Sequence, residues 1–459
     1  MLCREIYKFS NLLKCEKRMA YNIIIGRNQA DRELFGEKGA VYLGKLYVKM
    51  GEFTSLSNKI YMDVTRTHVV TVCGKRGSGK SYSASVMAEE ISRLPPEIRN
   101  RMTVLFFDTM GVFWTMKYPN TRQEELLRQW DLEAEKIDIN IFTPKGHFDE
   151  YRKKGIPADH RFALRTSAMN PDDWCNVFGL QLTDPLGILI ERIVGGLQED
   201  LVNFSIQDIL THIRSDVKAE KTVRDAAENR FLSAERWGLF DAEGTTIDEL
   251  MKPGSVNVLD ISAYSDVAGN WSIKGLVIGL LSRKLLQERV VARKGEEVEN
   301  IKKEKSYFYE EKTLEKPMVW IMVDEAHEFL PKEGKTPATD ALVQLLREGR
   351  QPGISLVLAT QQPGEIHKDV LTQSDIVISH RLTAQADVEA LNSMMQSYLV
   401  TDLQTYLNNL PKNKGACIIL DDNSERIYPV GIHPKRSWHG GEAPSALSVK
   451  KEFAFEVKT

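Results

Sequence analysis

The chain has 459 residues, 61 of them basic and 64 acidic, for a net charge of −3. That balance excludes a protein that is basic throughout, so any nucleic-acid surface must be local. Five scattered cysteines without a C-x-x-C pair exclude a disulfide scaffold or zinc knuckle and fit a reducing, cytoplasmic setting, and no apolar run reaches the ~20 residues that span a bilayer.

Residues 1–18 carry charges on both sides of a short apolar patch. They read as a flexible extension rather than a signal peptide, with Met19 as an alternative start. Over 19–64, β-rich fragments (Tyr21–Ile25, Ala40–Leu46, Lys59–Met62) predict a small N-terminal β subdomain, too short for a complete barrel. From His68 the pattern changes to strands alternating with helices, which predicts an α/β core over 65–436 built on a mostly parallel sheet. His68–Cys73 is a strand and Ser81–Leu94 a helix that stops before Pro95-Pro96. Thr103–Phe107 is the next strand, ending in Asp108. Residues of about 148–250 have helical spacing and predict an insertion packed on the sheet. Ser255–Leu259, ending in Asp260, resumes the sheet, and a helix follows over Ile273–Val291. The segment of about 292–316 is dense in both charge signs and reads as a solvated helix or loop. Met318–Val323, Ile354–Ala359 and Asp375–His380 are further strands. A hairpin of Ala416–Leu420 and Arg426–Val430 closes the core before a tail over 437–459.

The chemistry is concentrated at strand ends. Gly74-Lys75-Arg76-Gly77-Ser78-Gly79-Lys80-Ser81 fits the phosphate-loop pattern G-x-x-x-x-G-K-[ST] and lies between a strand and a helix. There the glycines allow close backbone approach, and the loop N–H groups and helix dipole favour an anion. With the adjoining Tyr82, this stretch is the expected ATP site. The apolar run Met318–Val323 leads straight into Asp324-Glu325-Ala326-His327, which puts two carboxylates at the C-terminal edge of a buried sheet. Asp324 is expected to hold Mg2+ together with the Ser81 hydroxyl. Glu325 would orient the attacking water and Lys80 would neutralise the β- and γ-phosphates. Gln361, just after another apolar strand, is a candidate sensor of the γ-phosphate. Arg350 and Arg381 are the leading candidates for a cation placed on a phosphate, ahead of Arg347, Arg66 and Arg76. Lys332 and Lys335 are candidate DNA-contacting residues in the loop after the acidic motif.

Taken in order, the P-loop, MVWIMVDEAHEFL, LREGRQPGISLVLATQQP and DIVISHRLTAQAD resemble the HerA branch of the HerA/FtsK ATPases over roughly residues 66–435. The resemblance implies a RecA-like P-loop NTPase core that forms a homo-hexameric ring. It further implies sequence-independent translocation of double-stranded DNA with a partner nuclease, or with an effector in antiviral defence. An ATP-gated ring that activates a partner without translocation is the alternative. The chain departs from the family pattern in two places. Its N-terminal β-rich segment is shorter than the family's barrel, and the register of Arg66, Thr67 and His68 before the P-loop strand does not match the family's arginine.

Overall fold

The computed structural model describes residues 22–50, 53–266, 270–304, 316–394 and 403–441. The expectations for 1–18, for 305–315 of the charged segment and for the tail from 442 onwards lie outside these residues.

The described strands are, in chain order, β1 (Ile23–Ile25), β2 (Ala40–Met50), β3 (Phe53–Asp63), β4 (Val69–Cys73), β5 (Met102–Asp108), β6 (Ile139–Pro144), β7 (His160–Phe162), β8 (Leu164–Arg165), β9 (Phe240–Asp241), β10 (Val256–Asp260), β11 (Met318–Val323), β12 (Ile354–Thr360), β13 (Ile376–His380), β14 (Ala416–Asp421) and β15 (Arg426–Ile432). Except for the small β8–β9 pair, all join one sheet in the order β1-β3-β2-β15-β14-β13-β4-β12-β11-β5-β10-β6-β7. From β13 to β7 every neighbouring pair is parallel. The hairpin β14–β15 is antiparallel, as are its junctions with β13 and β2.

The central strands are continuous apolar runs because both faces of the sheet are covered. Along β11, Val319, Ile321 and Val323 enter one core while Trp320 and Met322 enter the other. Along β5, Leu105 and Phe107 divide from Val104 and Phe106 in the same way. Among the helices that matter below are α1 (Gln29–Phe35), α2 (Lys80–Ser92), α3 (Pro171–Phe178), α4 (Pro185–Asp200), α5 (Ile206–Ser215), α6 (Lys221–Arg236) and α7 (Asn270–Glu304). They are followed by α8 (Thr339–Glu348) and α9 (Lys368–Gln373). The segment 148–250 contributes α3 to α6, which bury Trp174, Ile190, Leu210 and Phe231 on the α7 side of the sheet. None of the described helices is long and apolar enough to cross a membrane.

Three findings differ from the sequence reading. The β-rich segment of 19–64 does not stand apart: β2 pairs with β15 and β3 with β1, so it extends the central sheet. The partners in β2 and β15 lie almost at opposite ends of the core, and no local pattern announces such a pairing. The strands β6 and β7 have no clear sequence signal, because Asn140 and Thr143 interrupt the apolar run of the first and the second is only three residues long. The helix expected over Ile273–Val291 runs further, to Glu304. Its charged continuation is held by i,i+3 and i,i+4 pairs such as Arg293–Glu296 and Arg293–Glu297.

Candidate functional site

Parallel register brings three strand ends to one edge. Cys73 of β4 lies beside Thr360 of β12, and Leu358 of β12 beside Val323 of β11. The P-loop, Gln361 and the pair Asp324-Glu325 therefore emerge side by side.

The loop closes tightly on that edge. Gly74, Gly77 and Gly79 all have φ in the left-handed region, at 154°, 74° and 119°. At Gly74 a Cβ would lie 2.5 Å from Ser78 Oγ and 2.7 Å from His380 Cβ, so only glycine fits. The Lys75 N–H donates to the Arg381 carbonyl at 3.1 Å and ties the loop to the end of β13. Beneath the loop lies His380, which is fully buried. Its Nδ1 faces the Ala416 carbonyl at 3.2 Å, so Nε2 accepts the Ser83 hydroxyl at 2.9 Å. Burial lowers this imidazole to about 4 and keeps it neutral beside Lys80.

Lys80 opens α2 and is only 6% exposed. Burial depresses its pKa, while Glu325 and Asp324 pull in the opposite direction. The Ser81 hydroxyl donates to Asp324 Oδ2 at 2.7 Å, and the Glu325 N–H donates to Asp324 Oδ1 at 3.0 Å. Burial raises the Asp324 pKa despite these bonds. A serine hydroxyl in contact with a buried carboxylate is a hard-oxygen pair that suits Mg2+. Among the described residues no cluster of three or more acidic, His or Cys side chains forms a complete cage, so phosphate oxygens would have to complete such a shell.

Glu325 has a left-handed backbone, φ 50° and ψ 44°, which costs a non-glycine residue about 1 kcal/mol. That conformation turns its side chain to Gln361, whose Nε2 donates to Glu325 Oε1. The other oxygen, Oε2, is buried without a hydrogen-bond partner among the described residues, and the nearest ring nitrogen, His327 Nδ1, is 3.7 Å away. A buried carboxylate oxygen held open in this way is free to accept a proton from an entering water.

Sequence reasoning left several groups here without a role. Asp108 and Asp260 lie opposite one another at the ends of β5 and β10 and were read only as strand ends. Burial raises the pKa of both, and repulsion from Asp260 adds to the rise at Asp108. Buried Lys274 reaches this row from α7 and donates to the Thr109 carbonyl at 2.9 Å. Glu328, one turn beyond Glu325, is pushed up to about 7 by burial and by Glu325. Acids closing successive apolar strands were the signal available for Asp108 and Asp260. A conversion of α7 into a site element had none.

The candidate arginines divide between two places. Arg381 follows β13 at the P-loop edge and is exposed. Arg350 precedes β12 at the opposite edge, about 20 Å away by the rise of seven strand residues. There it lines a cleft of about 930 Å³ together with Asp31, Arg66, His68, Arg347 and Asp375. Arg347 is engaged by Asp369 at 2.6 Å and Arg66 by Asp31 at 2.6 Å. The Arg350 guanidinium has no ion pair among the described residues, though its carbonyl accepts from Thr67 Oγ1 at 3.0 Å. Of the candidate DNA-contacting residues, Lys335 pairs with Asp340 at 2.8 Å and Lys332 is exposed.

Behind the cleft lies a buried ionic cluster. Arg27 bonds Asp63, both fully buried, and His68 lies between Asp63 at 3.5 Å and Asp375 at 2.7 Å. Burial would lower the His68 pKa, but the two carboxylates outweigh it and hold the ring up to about 9. The cluster fastens the ends of β1 and β3 to the starts of β4 and β13.

The chain is similar to known proteins over most of its length. The family model described as "Helicase HerA, central domain" matches residues 41–280, and "Helicase HerA-like C-terminal" matches residues 307–414. The DNA double-strand break repair helicase HerA of Saccharolobus solfataricus is 22% identical over 406 residues, covering 86% of this chain and 69% of that protein. The protein of the same name from Sulfurisphaera tokodaii is 28% identical over 79% of this chain and 63% of its own length. That from Pyrococcus furiosus is 27% identical over 37% of this chain, and the match spans only 31% of the Pyrococcus protein. Among solved structures, VirB4 of Thermoanaerobacter pseudethanolicus is similar with a TM-score of 0.48 and 13% identity, over 87% of this chain and 97% of that one. The central-domain match alone covers residues 41–280 of 459, more than half, and the chain belongs to the HerA helicase family.

Proposed function

We propose that this chain is a Mg2+-dependent ATPase that assembles into a hexameric ring and moves double-stranded DNA, working with a nuclease or a defence effector. One observation carries the reading: Lys80, Ser81, Asp324, Glu325 and Gln361 converge at one sheet edge, while exposed Arg350 lines the cleft at the other.

ATP would be held by the loop amides of Gly74–Ser81, with Lys80 against the terminal phosphates and Tyr82 at the helix start. Mg2+, when bound by Ser81 and Asp324, supplies charge neutralisation at the phosphate oxygens. Glu325 accepts the proton of the attacking water through Oε2. Gln361 fixes the carboxylate and senses whether the γ-phosphate is present. Arg381 lies on the same subunit's loop, whereas Arg350 is too distant for its own nucleotide and acts on a neighbour's. Loss of the γ-phosphate weakens that bridge and lets adjacent subunits shift. Exposed Lys332 lies on the loop after the acidic motif, where a backbone-gripping cation would contact DNA without reading sequence.

The test is ATP hydrolysis with and without duplex DNA, over a salt series. Stimulation by unrelated duplexes that fades as salt rises is the expected result. A rate indifferent to DNA, with partner activation intact, would replace the motor by an ATP-gated ring.

A further inference from the structure

The segment that follows β15, residues 433–441, is a strap across the helix that begins at the P-loop. Since β14 starts and β15 ends beside His380, the strap leaves the sheet at the edge where the loop lies. The Lys435 N–H donates to the Tyr82 hydroxyl at 2.5 Å, and the Arg436 and Ser437 N–H groups donate to the buried Glu89 carboxylate at 3.0 and 3.2 Å. From the far side, Asn120 Nδ2 donates to the Lys435 carbonyl at 2.8 Å and Thr115 Oγ1 to that of Trp438 at 3.1 Å. These bonds deliver His439 edge-on to Tyr82, with ring centroids 5.2 Å apart.

The position of that ring pair matters. Tyr82 directly follows Ser81, and the loop before β14 is close enough that a Cβ on Gly79 would lie 3.7 Å from the Gly415 nitrogen. Gln361 and Glu325 lie on the β12–β11 side of β4, which is the side for the terminal phosphate. The rest of a nucleotide must extend away from that side, toward β13, β14 and the strap. His439 is half-buried and makes no hydrogen bond with any described residue. Burial, with Lys435 and Lys414 nearby, lowers its imidazole to about 3, so at neutral pH the ring offers one donor and one acceptor.

We infer that Tyr82 and His439 form a nucleobase subsite, with His439 hydrogen-bonding the base edge and the strap holding both rings in place. The inference rests on the reading of Gly74–Ser81 as a nucleoside triphosphate site, and the experiment separates the two. Calorimetric titration of the full chain would compare ATP with inorganic tripolyphosphate. His439→Ala should weaken ATP about tenfold, the loss of one hydrogen bond, and leave tripolyphosphate unchanged, with His439→Gln recovering part of the loss. Equal weakening of both ligands, or none for ATP, overturns the subsite. Tripolyphosphate binding that survives Lys80→Ala overturns the phosphate reading instead. Should His439→Ala fail to fold, hydrogen exchange on the unaltered chain decides. ATP should slow the amides of Lys435 to Ser437 and tripolyphosphate should not, and equal protection by both contradicts the subsite.

Discussion

The two edges of the central parallel sheet are built from opposite materials. At the C-terminal edge, strand ends deliver carboxylates, loop amides and one buried lysine to a single point. At the N-terminal edge, the same strands begin beside arginines, a large cleft and a buried ionic cluster. The first edge holds the parts proposed to bind and cleave a phosphoanhydride, with exposed Arg381 beside them on the same subunit. The second holds Arg350, exposed at the cleft and without an ion pair among the described residues. In the ring proposed above, the two would be joined where one subunit's N-terminal edge faces the next subunit's C-terminal edge.

The largest expected effect comes from removing Arg350, the charge proposed to act across the boundary. Arg350→Ala should lower ATP turnover by ~10³-fold or more while leaving nucleotide affinity nearly unchanged. A fall confined to affinity would assign Arg350 to the cleft alone. Glu325→Gln comes next. It should cut turnover by about 10²–10⁴-fold with ATP still bound, because only proton acceptance is lost. Single-turnover measurements separate this from slow release.

The ionic cluster gives a structural counterpart. Arg27→Met leaves Asp63 buried with one cation fewer and should cost about 3–5 kcal/mol in a denaturant melt. The smallest expected effect is the pH response of His68. Its folded pKa of about 9 lies above its unfolded value, so its stabilisation is complete below about pH 6.5 and is lost as pH rises through 9. The loss over that window is of order 3 kcal/mol at most. His68→Gln should flatten the stability profile between those values, and an unchanged slope would remove His68 as its source.

How much of this was legible in the sequence follows the same division. Gly74–Ser81, Asp324-Glu325 and Gln361 each directly follow an apolar run, so motif, strand end and direction were all local. The cleft edge was not readable in this way. Asp31, Arg66, Arg350 and Asp375 are far apart in the chain, and only the sheet order brings them together. Arg350 could be named from its motif, but not its distance from its own P-loop. For the same reason the sequence assigns β2 to a small N-terminal subdomain: its pairing with β15 is a property of the closed core. His380 reads as a strand end in the sequence, because nothing local shows that its ring lies under the P-loop.

The most direct test mixes Arg350→Ala subunits with Glu325→Gln subunits, each inactive in turnover alone. If the two edges complete one another, a Glu325→Gln subunit lends its arginine to the intact carboxylate of an Arg350→Ala neighbour. ATP hydrolysis should then reappear on mixing, peaking near equal proportions. If Arg350 served its own nucleotide, or none, every mixture would stay as inactive as its parents.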